Sequence, residues 1–174
     1  MPLRQRALFG FLFAVFAAIA LAYSGTIYFD KVDARREETA RSDAKELGIA
    51  VMVYTEDHGR YPDAGKWEQE LKPYVGGDMA KLVNPPAPFQ GTARRFSYNP
   101  ALSGKKAASI DNPSSTWMFY ESVSTAPSAS DNLDAWPDPA RDRGQMFAVV
   151  WADSHSYSRP FEWKHYALLH QDPY

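Results

Sequence analysis

The chain of 174 residues contains no cysteine. This absence excludes a disulfide framework, a thiol nucleophile and any zinc or iron–sulfur site built on cysteine. An excess of one charge is also lacking, since 19 basic side chains face 21 acidic ones and the formal net charge is −2. Nucleic-acid binders usually carry a basic excess, so no nucleic-acid partner is expected. The sequence has no Gly-rich phosphate loop, no G-x-S-x-G turn and no HExxH pair, and we therefore expect no enzymatic activity.

One long stretch of the sequence lacks charge altogether. Residues 7–29 form an uncharged run of 23 residues. A helix of that length, rising about 1.5 Å per residue, covers roughly 34 Å and is long enough for a hydrocarbon core of about 30 Å. Arg4 and Arg6 precede the run, whereas acidic residues follow it. The positive-inside rule therefore predicts a cytoplasmic basic leader at 1–6, a single transmembrane helix at 7–29 in the inner membrane, and a periplasmic or extracellular remainder.

Membrane lipid is thus an expected partner of the N-terminal segment. Small residues allow close contact between helices in lipid, which makes self-assembly, or contact with similar subunits, an expectation for this helix. The small residues are Gly10, Ala14, Ala17, Ala18 and Gly25. The alternative is a cleaved signal peptide, because Ala20-Leu21-Ala22 has the small-x-small form of a cleavage site. Both alternatives place the rest of the chain outside the cytoplasm.

A helical pattern continues beyond this segment through residues 30–58. Apolar residues recur every three or four positions and predict one buried stripe, formed by Ala40, Ala44, Leu47, Val51 and Tyr54. The other faces carry charges of both signs, including Arg41 and Lys45, which is typical of a solvated face. His58-Gly59, followed by Pro62, predicts the end of the helix. Residues 59–174 then form a globular head.

Short runs of strand-forming residues predict a small antiparallel sheet in the head. The fold class is therefore α+β, with the long N-terminal helix packed on that sheet. The predicted strands are 95–98, 116–121, 146–152 and 154–159, the last two as a hairpin. Short helices are predicted at 65–75 and 161–169, and polar connections containing proline at 76–95 and 122–143.

The order of these segments resembles the type IV pilin and type II secretion pseudopilin superfamily. The nearest likeness is to its prepilin-like branch, whose helix ends in Leu-Gly-x-Ala-x-x-x-Tyr-x-x-Asp and Tyr-Pro, before a short helix that runs from Trp to Pro-Tyr-Val. The matching residues are Leu47, Gly48, Ala50, Tyr54, Asp57, Tyr61, Pro62, Trp67, Pro73, Tyr74 and Val75. The resemblance implies a pilin-like fold and a non-enzymatic, membrane-anchored subunit of a cell-surface filament or a secretion-system pseudopilus.

Two signatures of that superfamily are degenerate in this chain. The branch carries His, nine residues and Asp-Gly, whereas this chain has Arg143 at the His position and Ser154 at the Gly position. Gly10-Phe11 resembles the prepilin peptidase cut point, but Val15 replaces the usual Glu. In the superfamily that Glu pairs with the N-terminal amine of a neighbouring subunit, which neutralises a charge in lipid. The missing Glu favours an alternative, a binding module that is anchored or secreted and does not assemble, whereas the long helical stalk favours an assembly subunit.

In that alternative the 122–143 loop is presented to a polysaccharide or a protein. Trp136 is a candidate partner contact within this polar loop, and burial beneath the loop is the other interpretation of it. Four carboxylates offer the hard oxygen ligands that calcium prefers, namely Asp131, Asp134, Asp138 and Asp142. The resemblance adds that major pseudopilins carry a calcium ion in a C-terminal loop. A solvated loop without metal is the alternative, and no other cofactor is expected.

Asp153 and His155 place two metal-ligating side chains on one face of a predicted strand. They support a third hypothesis, an exported metal-dependent enzyme. The alternative gives the histidines structural roles, with His58 as a cap of the long helix and His155 as a polar residue at a strand edge.

Overall fold

A helix of 56 residues, α1 (Leu3–His58), forms the first third of the chain. No proline lies between Leu3 and Tyr61, so the helix keeps every backbone N–H donor along its length. It ends where Gly59 adopts a φ of +69° and donates its N–H to the Thr55 carbonyl oxygen at 2.8 Å. This left-handed C-terminal cap is one that glycine adopts without steric cost.

The computed structural model describes residues 3–84, 95–124, 126–134, 136 and 146–160. By its contacts the chain divides into two compact units, Met1–Arg36 and Glu37–Tyr174. Helix α1 contributes its first part to the first unit and its last part, from Glu37 onwards, to the second.

The first unit contains the whole of the predicted membrane segment, residues 7–29. Among the described residues, no helix is both long and apolar enough to cross a membrane. The side chains of residues 3–13 and 25–30 lie outside the described part of the chain. The helical backbone includes Gly10, Phe11 and Gly25, but their surroundings are among those left undescribed, and the transmembrane helix at 7–29 stays a prediction.

In the second unit, α1 buries one apolar stripe against a sheet. Ala44, Leu47, Ala50, Val51 and Tyr54 are all at most 3% exposed. They belong to one hydrophobic cluster together with residues from three of the four strands. The spacing of the stripe predicted this burial from the sequence, and the structure confirms it.

The sheet has four antiparallel strands in the order β1-β2-β3-β4. The strands are β1 (Arg95–Tyr98), β2 (Trp117–Ser122), β3 (Met146–Trp151) and β4 (Ser156–Pro160). Each lies within two residues of its predicted bounds, and β3 and β4 form the predicted hairpin. The chain is therefore α+β, with a long helix packed on an antiparallel sheet, as the sequence predicted.

Both faces of this sheet are covered. Phe96, Ala148 and Val150 face the cluster that contains α1, whereas Phe147 and Val149 belong to a second cluster. A register shift between Trp117 and Phe119 interrupts the alternation in β2. Because of this bulge, Met118 and Phe119 both join the α1 cluster while Tyr120 faces the opposite side.

Two short helices follow α1. The first, α2 (Trp67–Leu71), lies within the predicted helix at 65–75 and buries Trp67 and Leu71. The second, α3 (Met79–Val83), buries Met79, Leu82 and Val83. It lies in 76–95, so the prediction of a surface connection there was wrong for 79–83, because this segment has apolar residues to bury. Residues 85–94 and the predicted helix at 161–169 lie outside the described residues.

Candidate functional site

The loop after β2 is fastened to the sheet through Asp131. Ser97 Oγ donates a hydrogen bond to Asp131 Oδ2 at 2.5 Å, and the Tyr120 hydroxyl donates to Asp131 Oδ1. The backbone N–H of Asp134 donates to the same Oδ1 at 2.8 Å. Burial and the contact with Asp131 raise the pKa of the Tyr120 hydroxyl, which keeps it protonated and able to donate. The Asp131 carboxylate therefore acts as the acceptor of a largely buried hydrogen-bond network.

This arrangement bears on the candidate calcium ligands. Asp131 uses both carboxylate oxygens inside the fold, whereas Asp134 is exposed. Asp138 and Asp142 lie outside the described residues. Among the residues that are described, no group of three His, Cys, Asp or Glu side chains is placed to hold a metal ion. Calcium binding by the loop stays a prediction.

Trp136 lies beneath the loop rather than on its surface. Only 6% of it is exposed, and its ring centroid lies 5.4 Å from that of Tyr120 and 5.7 Å from that of Phe147. Leu133, which is fully buried, completes this second cluster from the loop. Trp136 is therefore a packing residue that covers the sheet. Of its two interpretations, burial beneath the loop is confirmed and the exposed partner contact is wrong.

Three carboxylates from α1 and β2 interact electrostatically, namely Asp43, Glu46 and Glu121. Glu121 is 5% exposed and accepts the backbone N–H of Ala148 at Oε2, at 3.3 Å. Partial burial of Asp43, followed by the charges of Glu46 and Glu121, raises the pKa of the Asp43 carboxyl from about 3.8 to about 6. At pH values between about 4 and 6 the Asp43 carboxyl therefore keeps its proton in the folded chain more readily than in the unfolded chain.

This shift predicts that stability falls as pH rises. The folded chain holds a proton on Asp43 between about pH 4 and pH 6 that the unfolded chain releases, so the free energy of unfolding decreases through that window. After a discount for the half-exposed carboxyl, we expect a decrease of about 1–2 kcal/mol. Asp43→Asn should remove it, as measured by urea unfolding at pH 4.5 and pH 7. Asp57→Asn on the same helix is the control, and an unchanged pH dependence in Asp43→Asn would contradict the assignment.

The turn between β3 and β4 carries Asp153 and His155. The Nδ1–H of His155 donates to Asp153 Oδ1, and its backbone N–H donates to the same oxygen at 3.2 Å. The imidazole lies parallel to the Trp151 ring, with centroids 4.7 Å apart and an interplanar angle of 10°. The structure thus brings the two predicted metal ligands together as a hydrogen-bonded pair within an aromatic stack.

A close approach of helix and turn fixes this part of the fold. A Cβ on Gly48 would lie 3.0 Å from Val150 Cγ1 and 3.3 Å from the Cβ and the carbonyl oxygen of Ser154. Ser154 adopts a φ of +68°, a left-handed conformation that favours glycine. This is the position at which the resembling branch has the Gly of Asp-Gly. Ser154 therefore adopts a backbone conformation that glycine adopts freely, and because serine has a Cβ this conformation is strained.

Next to that contact lies an open cleft of about 540 Å³, which we call the turn cleft. Helix α1 lines it with one acidic, two basic and one hydroxyl side chain, and the turn and β4 line the other side. The lining residues are Glu38, Arg41, Ser42, Lys45, Ser154, His155, Ser156 and Tyr157. The sequence placed Arg41 and Lys45 on a solvated face and gave no signal for a cleft there. The turn cleft forms only because the turn between β3 and β4 packs on Gly48, a residue that is distant from the turn in the sequence.

A second cleft of about 540 Å³ lies at the C-terminal end of α1, beside Tyr54, His58 and Tyr74. His58 stacks on Tyr54 with ring centroids 4.1 Å apart, and its Nδ1 lies 3.0 Å from the Tyr54 carbonyl oxygen. The expected capping role of His58 therefore fits its place in the last turn of α1. Tyr54 itself donates to Glu70 Oε2 at 3.0 Å, so the aromatic side chains here are engaged with one another and with α2.

Helix α1 also exposes apolar side chains in each unit. In the second unit Ile49, Met52 and Val53 form a row at helical spacing and are 49%, 51% and 43% exposed. In the first unit Ala14 and Ala18 are exposed and Ala17 is half-buried. Large exposed residues accompany them there, namely Phe16, Ile19, Leu21 and Tyr23.

Comparisons of the chain with protein-family models, with curated proteins and with solved structures find no match. The clefts and the exposed rows of α1 are the features of the described residues that remain to be explained by function.

Proposed function

We propose that the chain is a membrane-anchored, pilin-like subunit without enzymatic activity, which contributes to a cell-surface filament or a secretion-system pseudopilus. Its N-terminus lies in the cytoplasm, residues 7–29 cross the inner membrane, and the head is periplasmic or extracellular. In this proposal α1 holds the subunit in the membrane and packs against α1 of neighbouring subunits.

The observation that carries the proposal is the exposed row Ile49, Met52 and Val53. A helix that only packed on its own sheet would place polar side chains on its other faces. Here the face away from the sheet exposes three large apolar residues in one row. Contiguous exposed apolar surface is typical of a surface that another molecule covers.

Two further features support it. A long helix packed on a four-stranded antiparallel sheet is consistent with a pilin-like topology. In the first unit, residues 14–16 and 18–24 are all exposed, large apolar side chains among them. Such a segment keeps its apolar side chains out of water only when lipid or other helices surround it.

Cysteine cross-linking tests whether subunits contact one another through α1. Because the chain has no cysteine, Ala14→Cys introduces a single reactive site. Oxidation of intact membranes should give disulfide-linked dimers, and the double variant Ala14→Cys with Ala18→Cys should give a ladder with a bifunctional maleimide. Ala108→Cys, at an exposed site in the 3-10 turn Ala107–Ser109, is the control for random collision and should give neither.

The exposed row provides a second arm of the same experiment. Replacing Ile49 and Met52 by Gln in the Ala14→Cys background should reduce the dimer several-fold, whereas Glu56→Gln on the same face should not. A chain that stays monomeric throughout would contradict the proposal. That result would favour the alternative, a binding module that does not assemble and presents the 122–143 loop to a polysaccharide or a protein.

A further inference from the structure

The turn cleft combines three properties that point to one class of ligand. It is lined by polar side chains, it has an exposed aromatic ring at one side, and two basic groups from α1, Arg41 and Lys45, outnumber the one carboxylate in its lining, Glu38. We propose that the turn cleft binds an acidic carbohydrate, with a sugar ring against Tyr157 and its carboxylate at Lys45 and Arg41. This inference goes beyond the proposed function and does not depend on whether the chain assembles.

The lining argues first against an apolar ligand. None of the described residues that line the cleft is Leu, Ile, Val or Phe. Hydroxyl groups come from both walls, with Ser42 on α1 and Ser154 and Ser156 on the turn. A hydroxyl both donates and accepts hydrogen bonds, which matches the hydroxyls around a sugar ring. The volume of about 540 Å³ is in the range of small-molecule sites.

The aromatic side chains argue for a ring with an apolar face. Tyr157 is 56% exposed, and its ring contacts that of His155 with centroids 5.3 Å apart. His155 stacks in turn on the buried Trp151, and the Arg159 guanidinium lies 5.0 Å from the centre of the Trp151 ring. His155 contacts Tyr157 at an interplanar angle of 65°, and the Arg159 guanidinium lies 5.7 Å from the centre of the Tyr157 ring. These contacts hold the ring in place and leave more than half of the residue accessible. The C–H groups on one face of a pyranose pack on such a ring, as apolar groups do.

The charges argue for an acidic sugar. Arg41 pairs with Glu38 through one nitrogen, at 2.5 Å, and a guanidinium has further donors. Within the described part of the chain no ion pair engages Lys45. A neutral sugar offers the Lys45 ammonium only uncharged oxygen acceptors, whereas a uronate carboxylate offers a charged one and so a stronger hydrogen bond.

The walls of the cleft are fixed before any ligand arrives. The close approach of Ser154 to Gly48 holds the turn against α1. The left-handed backbone of Ser154 sets the direction in which the chain continues through His155 and Ser156. A site whose walls are already in place loses less conformational entropy on binding. The strain at Ser154 is thus located in the segment that lines the cleft.

Calorimetric titration of the full-length chain tests the proposal, in a detergent without a sugar headgroup. The probes are tetragalacturonate, its uncharged counterpart tetragalactose, inorganic phosphate and tetraglutamate. We expect tetragalacturonate to bind at least tenfold more tightly than each of the others. Lys45→Gln and Tyr157→Ala should each weaken that binding about tenfold or more, the typical effect of losing a charged hydrogen bond or a ring contact.

Matched controls make the outcome decisive. Lys81→Gln removes an exposed lysine from α3 and should leave binding unchanged. Lys45 is exposed, so Lys45→Gln keeps the urea midpoint and reports on binding alone. The proposal is overturned if tetragalacturonate does not bind, if tetragalactose binds as tightly, or if Lys45→Gln has no effect. Equal binding of phosphate would identify an anion site only, and equal binding of tetraglutamate a peptide site, and each result would overturn it as well.

Discussion

Replacing Asp131 by alanine is expected to lower the free energy of unfolding by about 3 kcal/mol, because buried hydroxyl groups lose their anionic acceptor. Ser97 and Tyr120 are both fully buried, and both donate to this carboxylate. The backbone N–H of Asp134 loses the same acceptor, which releases the loop from the sheet. Urea unfolding of the full chain, followed by circular dichroism, measures the change at the midpoint.

Asp134→Ala is the matched control, since it removes a neighbouring exposed carboxylate but keeps the backbone donor. It should change stability by less than about 0.5 kcal/mol. Asp131→Asn retains one acceptor oxygen, so its loss should be smaller than that of Asp131→Ala. Equal effects of the two alanine variants would contradict the role given to Asp131. If the loop carboxylates bind calcium, adding it should raise the midpoint of the parent chain, and both alanine variants should reduce that rise.

Replacing Trp67 by alanine is expected to have the larger effect, a loss of about 3–5 kcal/mol. The indole is fully buried between α2 and the sheet, with its ring centroid 4.9 Å from that of Phe119. Its Nε1–H donates to the Ala129 carbonyl oxygen at 3.0 Å. Truncation therefore opens a cavity and also leaves the loop without one of its attachments. The urea midpoint reports the first effect, and faster amide exchange of the Tyr98 and Asp131 N–H groups reports the second.

Trp67→Phe separates the two contributions, because it keeps most of the apolar volume and removes the donor. Its loss should be clearly smaller than that of Trp67→Ala, with the faster exchange retained. Gln69→Ala, at an exposed position of the same helix, should be close to neutral. A loss below about 1 kcal/mol for Trp67→Ala would show that Trp67 does not anchor α2 and the loop.

Much of the fold followed from periodicity in the sequence. The stripe from Ala44 to Tyr54 has the spacing of a helix buried on one side, and α1 buries it as predicted. The runs around Phe119 and Val149 are rich in residues that favour strands, and β2 and β3 form there. In such segments the local preference and the tertiary packing agree, so the sequence pattern is sufficient.

The features that the sequence did not predict depend on distant or weak signals. Helix α3 has a cap, since Asp78 Oδ1 accepts the N–H of Ala80 at 3.0 Å, but Gly76 and Gly77 before it indicated a loop. For Trp136 the sequence left exposure and burial both open, because polar and proline residues surround it, and the apolar face of the sheet beneath it explains why it is buried. The turn cleft arises where Ser154 meets Gly48, a contact that no local pattern encodes.

One edge of the sheet is already occupied near Tyr98. The backbone N–H of Tyr98 donates to the Ala129 carbonyl oxygen at 2.9 Å, and its carbonyl oxygen accepts the N–H of Asp131 at 3.3 Å. Ser130 thereby forms a parallel bridge beside β1. An incoming peptide could add as a fifth strand there only by displacing this segment and breaking its bonds. β-Strand addition from another copy is therefore opposed at this edge, which protects the chain against edge-to-edge aggregation.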